Sequence, residues 1–212
     1  LTGDNRYGEA ALKTGEFSWG ISLPDGVFTG GTIDNPDVID KEAGTLSLEG
    51  YLALFSYTSD RKWLERARAA ANFAETWIYI WDVPMPDDED DNDLHWKKNV
   101  STVGTQLIST GHSLNDQYMA FDVSEFAELY LNTEDEHYFD VAMILLHNTK
   151  SMLAIPGREF DLKGPGWQQE HWSLAPPRGY GVVRMWVPWL STCHLNGILE
   201  LQELNEELYQ RM

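Results

Sequence analysis

The sequence predicts an all-α fold built from paired inner and outer helices, on three observations. Alternating strand patterns with hairpin turns are nearly absent, several segments carry a helical apolar period, and one short turn recurs between helices. The clearest period runs from Asp60 to Ile80. Trp63, Leu64, Ala67, Ala70, Ala71, Ala74, Trp77 and Ile78 form one stripe, while Arg61, Lys62, Glu65, Arg66, Arg68, Asn72 and Glu75 take the other side. That pattern predicts an amphipathic outer helix with one solvated face.

The helix before it, Thr45 to Tyr57, is apolar nearly all round. Leu48, Tyr51, Leu52 and Phe55 make one face, and Leu46, Ala53, Leu54 and Tyr57 a second. A helix of that kind is buried, which makes it the inner member of the pair. Ser59, in the turn Thr58-Ser59-Asp60, is placed to cap the outer helix.

The pairing recurs. Asp116 to Leu131 reads as an inner helix with the seam Met119, Val123, Phe126, Ala127 and Tyr130, and Glu134 to Leu153 as its outer partner. Thr133 and Glu136 have capping-box spacing. Leu1-Thr2-Gly3-Asp4-Asn5-Arg6-Tyr7 leads into Glu9-Ala10-Ala11-Leu12 in the manner of an outer helix, and Pro188 to about Leu204 is a last inner helix running into Asn205-Glu206-Glu207-Leu208-Tyr209. The linking loops, about 20–45, 82–112 and 155–184, are long and unequal, and loops of that length are usually functional. All lie on the outer-to-inner side, so they gather at one end of the hairpins. That end is where a site is expected.

At 212 residues and 24.2 kDa the chain is one domain of ordinary size or a piece of a larger one. Its opening, without initiator Met or targeting stretch, reads as the interior of a longer chain. No apolar run approaches the roughly 20 residues of a membrane span. The net charge of −19, from 34 acids against 15 bases, argues against nucleic acid and anionic membranes as partners. The charge is uneven. Six of the seven residues from Asp87 to Asp93 are acidic, whereas Ile155 to Arg184 carries Arg158, Lys163, Arg178 and Arg184 against Glu159, Asp161 and Glu170, with Trp167, Trp172 and Tyr180 among them. A near-neutral aromatic loop on an acidic protein is a candidate ligand site. The lone Cys193 cannot form an internal disulfide and leaves the compartment open.

The recurring turn, Tyr/Leu-Thr-Gly/Ser-Asp-x-x-Tyr/Trp-x-x-x-Ala, is carried by Leu1–Ala11, Tyr57–Ala67 and, one residue longer, Leu131–Ala142. With the alternation of inner and outer helices it resembles the (α/α)6 toroid of six-hairpin glycosidases. The stretch Gly111-His112-Ser113-Leu114-Asn115-Asp116 is similar to the loop-to-inner-helix entry of such enzymes. Glycoside hydrolases, unsaturated-uronide hydrolases, polysaccharide lyases and sugar 2-epimerases share this architecture, so the resemblance implies carbohydrate as the partner and leaves the activity open. Three to four hairpins are not six. The resemblance therefore implies part of a toroid, completed by the rest of a longer chain or by a homo-oligomer.

Glycosidic cleavage generally needs two carboxyl groups across the scissile bond. Asp116, beside His112 at the end of the 82–112 loop, is one candidate; as Ser113-x-x-Asp116 it also has the spacing of a helix cap. Glu170 is the other, flanked by Trp167 and Trp172 and next to His171, where apolar rings favour a protonated acid; its plain alternative is a solvated loop acid. Trp167 and Trp172 are candidate platforms for pyranose faces, against the alternative of packing. Arg178, with Tyr180 nearby, is suited to a sugar carboxylate, which would imply uronic acids, unless it makes an ordinary salt bridge. Asp122 and Glu125, three apart on the inner helix, could face a cleft, with a solvated stripe as the leading reading. Glu49, inside the most buried helix, needs a partner or a wet cavity.

No cofactor and no metal are expected. The acidic run 87–93 matches aspartate-rich metal motifs only as any acidic run does, and the six histidines contain no pair at helical spacing. The leading expectation is a glycoside hydrolase acting on uronic-acid or related glycans. A sugar epimerase or isomerase using His112, His171 or His194, and a non-catalytic helical binding domain, are the alternatives.

Overall fold

The computed structural model describes residues 3–22, 26–30, 35–82, 101–110, 114–116, 122–151, 153–157, 159, 162–168, 171–173 and 189–212. They fall into two units, 1–76 and 77–212. No described helix is long and apolar enough to cross a membrane.

The first unit holds α1 (Asn5–Ile21), α2 (Lys41–Thr58) and α3 (Arg61–Glu75). The predicted stripe of α3 is its buried face: Trp63, Leu64, Ala67, Ala70, Ala71 and Ala74 are all enclosed, mainly against α2. Tyr51 of α2 stacks on Trp63, with ring centroids 6.0 Å apart. Burying these two rings and the alanine seam helps drive the pairing of the helices. The helix begins four residues earlier than its period indicates, because Asp40 caps it by accepting the Glu42 N–H at 2.7 Å. The expectation that α2 is buried all round is corrected. Leu48, Tyr51, Leu52 and Leu54 are enclosed, but Leu46 and Tyr57 are 54% and 62% exposed, and Glu49 is exposed as well.

The cap of α3 is corrected by one residue. Asp60, not Ser59, accepts the Lys62 N–H. Ser59 instead ends α2 in the left-handed conformation, φ 57°, donating its N–H to Phe55 O at 2.7 Å. Glu134 and Asp135 repeat this between α4 (Asp122–Thr133) and α5 (Glu136–Ser151). Glu134 has φ 57° and donates to Tyr130 O at 2.7 Å, and Asp135 accepts the His137 N–H. Thr58 and Thr133 both return their hydroxyls to the carbonyl four residues back, at 2.7 Å. The recurring sequence is thus a recurring three-dimensional turn.

In the second unit, Val123, Phe126, Ala127 and Leu129 of α4 pack with Tyr138, Val141, Ala142, Leu145 and Leu146 of α5. The last inner helix, α6 (Trp189–Leu204), contacts α4 and α5 and buries Leu201. Asn205 then caps α7 (Glu206–Arg211) by accepting the Leu208 N–H at 2.8 Å. The inner helix expected from Asp116 begins at Asp122 instead. Residues ahead of it form a small antiparallel sheet in the order β1 (Gln106–Leu107), β2 (Leu114–Asp116), β3 (His171–Ser173). Strands of two or three residues carry no readable period, which is why the sequence shows only helices.

Candidate functional site

The sheet is built at the feet of two long loops. After α3 the chain pairs with β1: Ile78 bridges Gln106, Tyr79 donates its N–H to Thr105 O at 2.9 Å, and Leu107 donates to Trp77 O at 3.0 Å. Asp82 closes the foot of the first loop, its Oδ1 accepting from Ser101 Oγ at 2.6 Å and Thr102 N at 2.9 Å. These bonds hold its carboxyl below the ordinary carboxylate value. Gly104, φ +87°, sits where a Cβ would lie 2.5 Å from Asn148 Cβ, so only glycine allows this turn to reach α5. Asn148 donates its side-chain amide to Val103 O.

The central strand carries Asp116. In register it lies between Gln106 of β1 and His171 of β3, while Asn115 is opposite Leu107 and Trp172. Asn115 is buried and donates to Thr105 Oγ1 at 3.4 Å, and Thr105 in turn donates to Thr102 O at 2.7 Å. This chain of buried bonds locks β2 to β1. The sheet therefore brings the 82–112 and 155–184 loops together at Asp116, His171 and Trp172. Asp116 is a strand residue, so its reading as a helix cap falls. His112, Glu170, Arg178 and Tyr180 lie outside the described residues.

Trp167 is held from several sides. It is half-buried on Ala154 and Leu162, the Lys163 ammonium lies 4.9 Å from its ring centroid, and its carbonyl accepts the Ala154 N–H at 2.8 Å. Ser191 at the start of α6 donates to Gly166 O, tying the loop to that helix. Gln168, one residue on, is buried.

The helices of the second unit hold three further polar groups. Asp122, read as part of a solvated stripe, is 1% exposed, in the first turn of α4, where the helix amides favour a carboxylate. The Ser124 hydroxyl lies between two carboxylates, 3.0 Å from Glu125 Oε2 and 3.1 Å from Glu200 Oε2 of α6. His194 is buried on α6 with its Nδ1 unbonded among the described residues, and burial, aided by the Lys150 charge, pushes its pKa down. The burial of Asp122 does not stand out in sequence, because an acid every three or four residues is also the signature of a wet helix face. Cys193 is enclosed, and burial pushes its thiol up to about 11, which disfavours the reactive thiolate. No group of three His, Cys, Asp or Glu among the described residues is placed to hold a metal ion.

No protein-family model matches this chain, and no curated protein does. Solved structures do match. A GH76 alpha-mannanase from Bacteroides thetaiotaomicron superposes with a TM-score of 0.61 at 13% identity, over 99% of this chain and 50% of that one. The fold is that of helical hairpins forming part of an (α/α) toroid. A family 76 glycoside hydrolase from a bovine strain of the same species superposes with a TM-score of 0.54 at 17% identity, over 98% of this chain and 41% of that one. The chain spans about half the length, or less, of the toroid proteins it matches.

Proposed function

We propose that this chain is part of a glycoside hydrolase whose carboxyl pair is Asp116 and Glu170. The register of β2 and β3 supports the reading: His171 is the cross-strand partner of Asp116, and Glu170 is the residue beside it in sequence. One carboxyl, protonated, gives its proton to the glycosidic oxygen as the bond breaks. The other, ionised, takes a proton from water or attacks the anomeric carbon. A separation of about 6.5–9.5 Å leaves room for the water and inverts the centre, and about 5–5.5 Å retains it. His112 and Arg178 orient the reacting groups, Trp167 and Trp172 offer surfaces to pyranose rings, His171 and Tyr180 contact the substrate, and Arg178 takes a uronate carboxylate through paired N–H donors.

The experiment is a hydrolysis panel of α-mannosides and uronic-acid glycosides on the natural gene product. Asp116→Asn and Glu170→Gln should each abolish turnover while leaving the helical circular dichroism and melting unchanged. Cleavage of uronides that Arg178→Ala weakens through KM would assign the acidic sugar. Cleavage of neutral α-mannosides alone, the polymer class named for one structural neighbour, would replace it. Wild-type rates in either carboxyl variant would remove that residue from the mechanism.

A further inference from the structure

The first unit carries a cavity of about 850 Å3 between α1 and α2, walled by Tyr7, Ala11, Leu46, Ser47, Gly50 and Ala53 among others. Its wall on α2 is the second apolar face of a helix whose sequence is that of a fully buried one, yet Leu46 and Tyr57 stand in the open. Its wall on α1 includes Tyr7, which is 65% exposed. Tyr7 is the counterpart of Trp63 and Tyr138 in the recurring turn. Those two are buried, and each packs against an inner-helix ring twelve residues earlier, Trp63 on Tyr51 at 6.0 Å and Tyr138 on Phe126 at 6.4 Å.

The turn ahead of Tyr7 has the same construction. Gly3 is left-handed, φ 70°, like Ser59 and Glu134, and Asp4 accepts the Arg6 N–H at 3.0 Å as Asp60 and Asp135 accept from the residue two ahead. In the other two turns that left-handed residue closes the C-terminus of an inner helix. We infer that the α1–α2 groove is the seat of an inner helix of the same polypeptide, running into the turn at Gly3 and carrying an aromatic residue twelve positions ahead of Tyr7. This rests on the fold and not on the chemistry proposed above. A chain that spans half of its structural neighbours has room for such a helix in the remainder.

Gly50 provides the test. A Cβ there meets nothing within 4 Å, and Gly50 lines the groove. Gly50→Phe is compared in residues 1–212 and in the natural gene product, by melting temperature and by hydrogen exchange over α1. In 1–212 the substitution should be neutral or raise the melting temperature, since glycine is a poor helix former. In the longer product the ring collides with the seated helix, so melting should fall by several degrees, and the wild-type longer product should slow the exchange of the amides from Tyr7 to Ala11 relative to 1–212. An equal effect of Gly50→Phe in both proteins would overturn the inference. So would a natural product that begins at Leu1, or a 1–212 dimer seen by light scattering that Gly50→Phe dissociates, which would make the occupant a second copy.

Discussion

Asp116 and His171 are register partners across β2 and β3, although 55 positions separate them in the chain. The pairing converts two loops that are unremarkable singly into one short sheet at the entrance to α4, and it brings an acid and an imidazole residue together.

The first prediction follows from that pairing. Asp116→Asn keeps the strand and removes the proton-transfer group, so kcat should fall by about 10^2 to 10^4 with KM little changed. His171→Gln keeps the strand and removes the imidazole, so it should move one limb of the pH–rate profile. A pH profile identical to wild type in His171→Gln would reduce His171 to a structural strand residue.

Trp63 and Tyr7 occupy equivalent places with opposite burial, which predicts opposite sensitivity. Trp63→Ala removes a fully enclosed ring beneath Tyr51 and should cost about 3–5 kcal/mol, read as the loss in urea-unfolding free energy. Tyr138→Ala should cost a similar amount, since it too is enclosed. Tyr7→Ala in residues 1–212 should cost well under about 1 kcal/mol, the usual range for an exposed site.

The left-handed turn residues give a third prediction. Ser59 and Glu134 hold φ 57° with side chains that disfavour it. Ser59→Gly and Glu134→Gly should each stabilise by about 1 kcal/mol, a rise in melting temperature of about 2–4 °C. Asp60→Ala removes the adjacent cap and should cost about 1 kcal/mol. A loss of stability in both glycine variants would show that the side chains, not the backbone strain, decide these turns.

The hairpins are legible because their information is local and periodic. The stripe from Trp63 to Ala74 and the recurring turn each sit within a window of one helix, and the structure keeps them. Ser59 is misread because Ser and Asp are both good caps and stand side by side; the left-handed φ at Ser59 settles the order. The sheet is illegible for a different reason. Leu114–Asp116 finds its partner in His171–Ser173, and nothing in either tripeptide encodes the other. Asp122 is misread because spacing cannot say which side of a helix faces water. The open face of Leu46 and Tyr57 is a misreading in the other sense: the apolar sequence reads as a buried face, and among the described residues both side chains stand exposed.

His194 gives the last prediction, a pH dependence with a defined sign. Burial, with the Lys150 charge, sets its folded pKa below the ordinary value of 6.5, so the folded state binds fewer protons than the unfolded chain between those two values. Stability is then full above pH 6.5 and is lost as the pH falls through the folded pKa. Melting of the wild type should therefore decline from pH 8 to pH 5. Asp82 and Cys193 do not confound that window. The carboxyl is held below its ordinary 3.8, so the stability it adds is lost only at lower pH, and the thiol titrates near 11. His194→Leu removes both the titration and the unbonded buried Nδ1, so its melting curve should be flatter across the same range. Parallel pH curves for the two proteins would place the acid sensitivity elsewhere and show that His194 takes up its proton without cost.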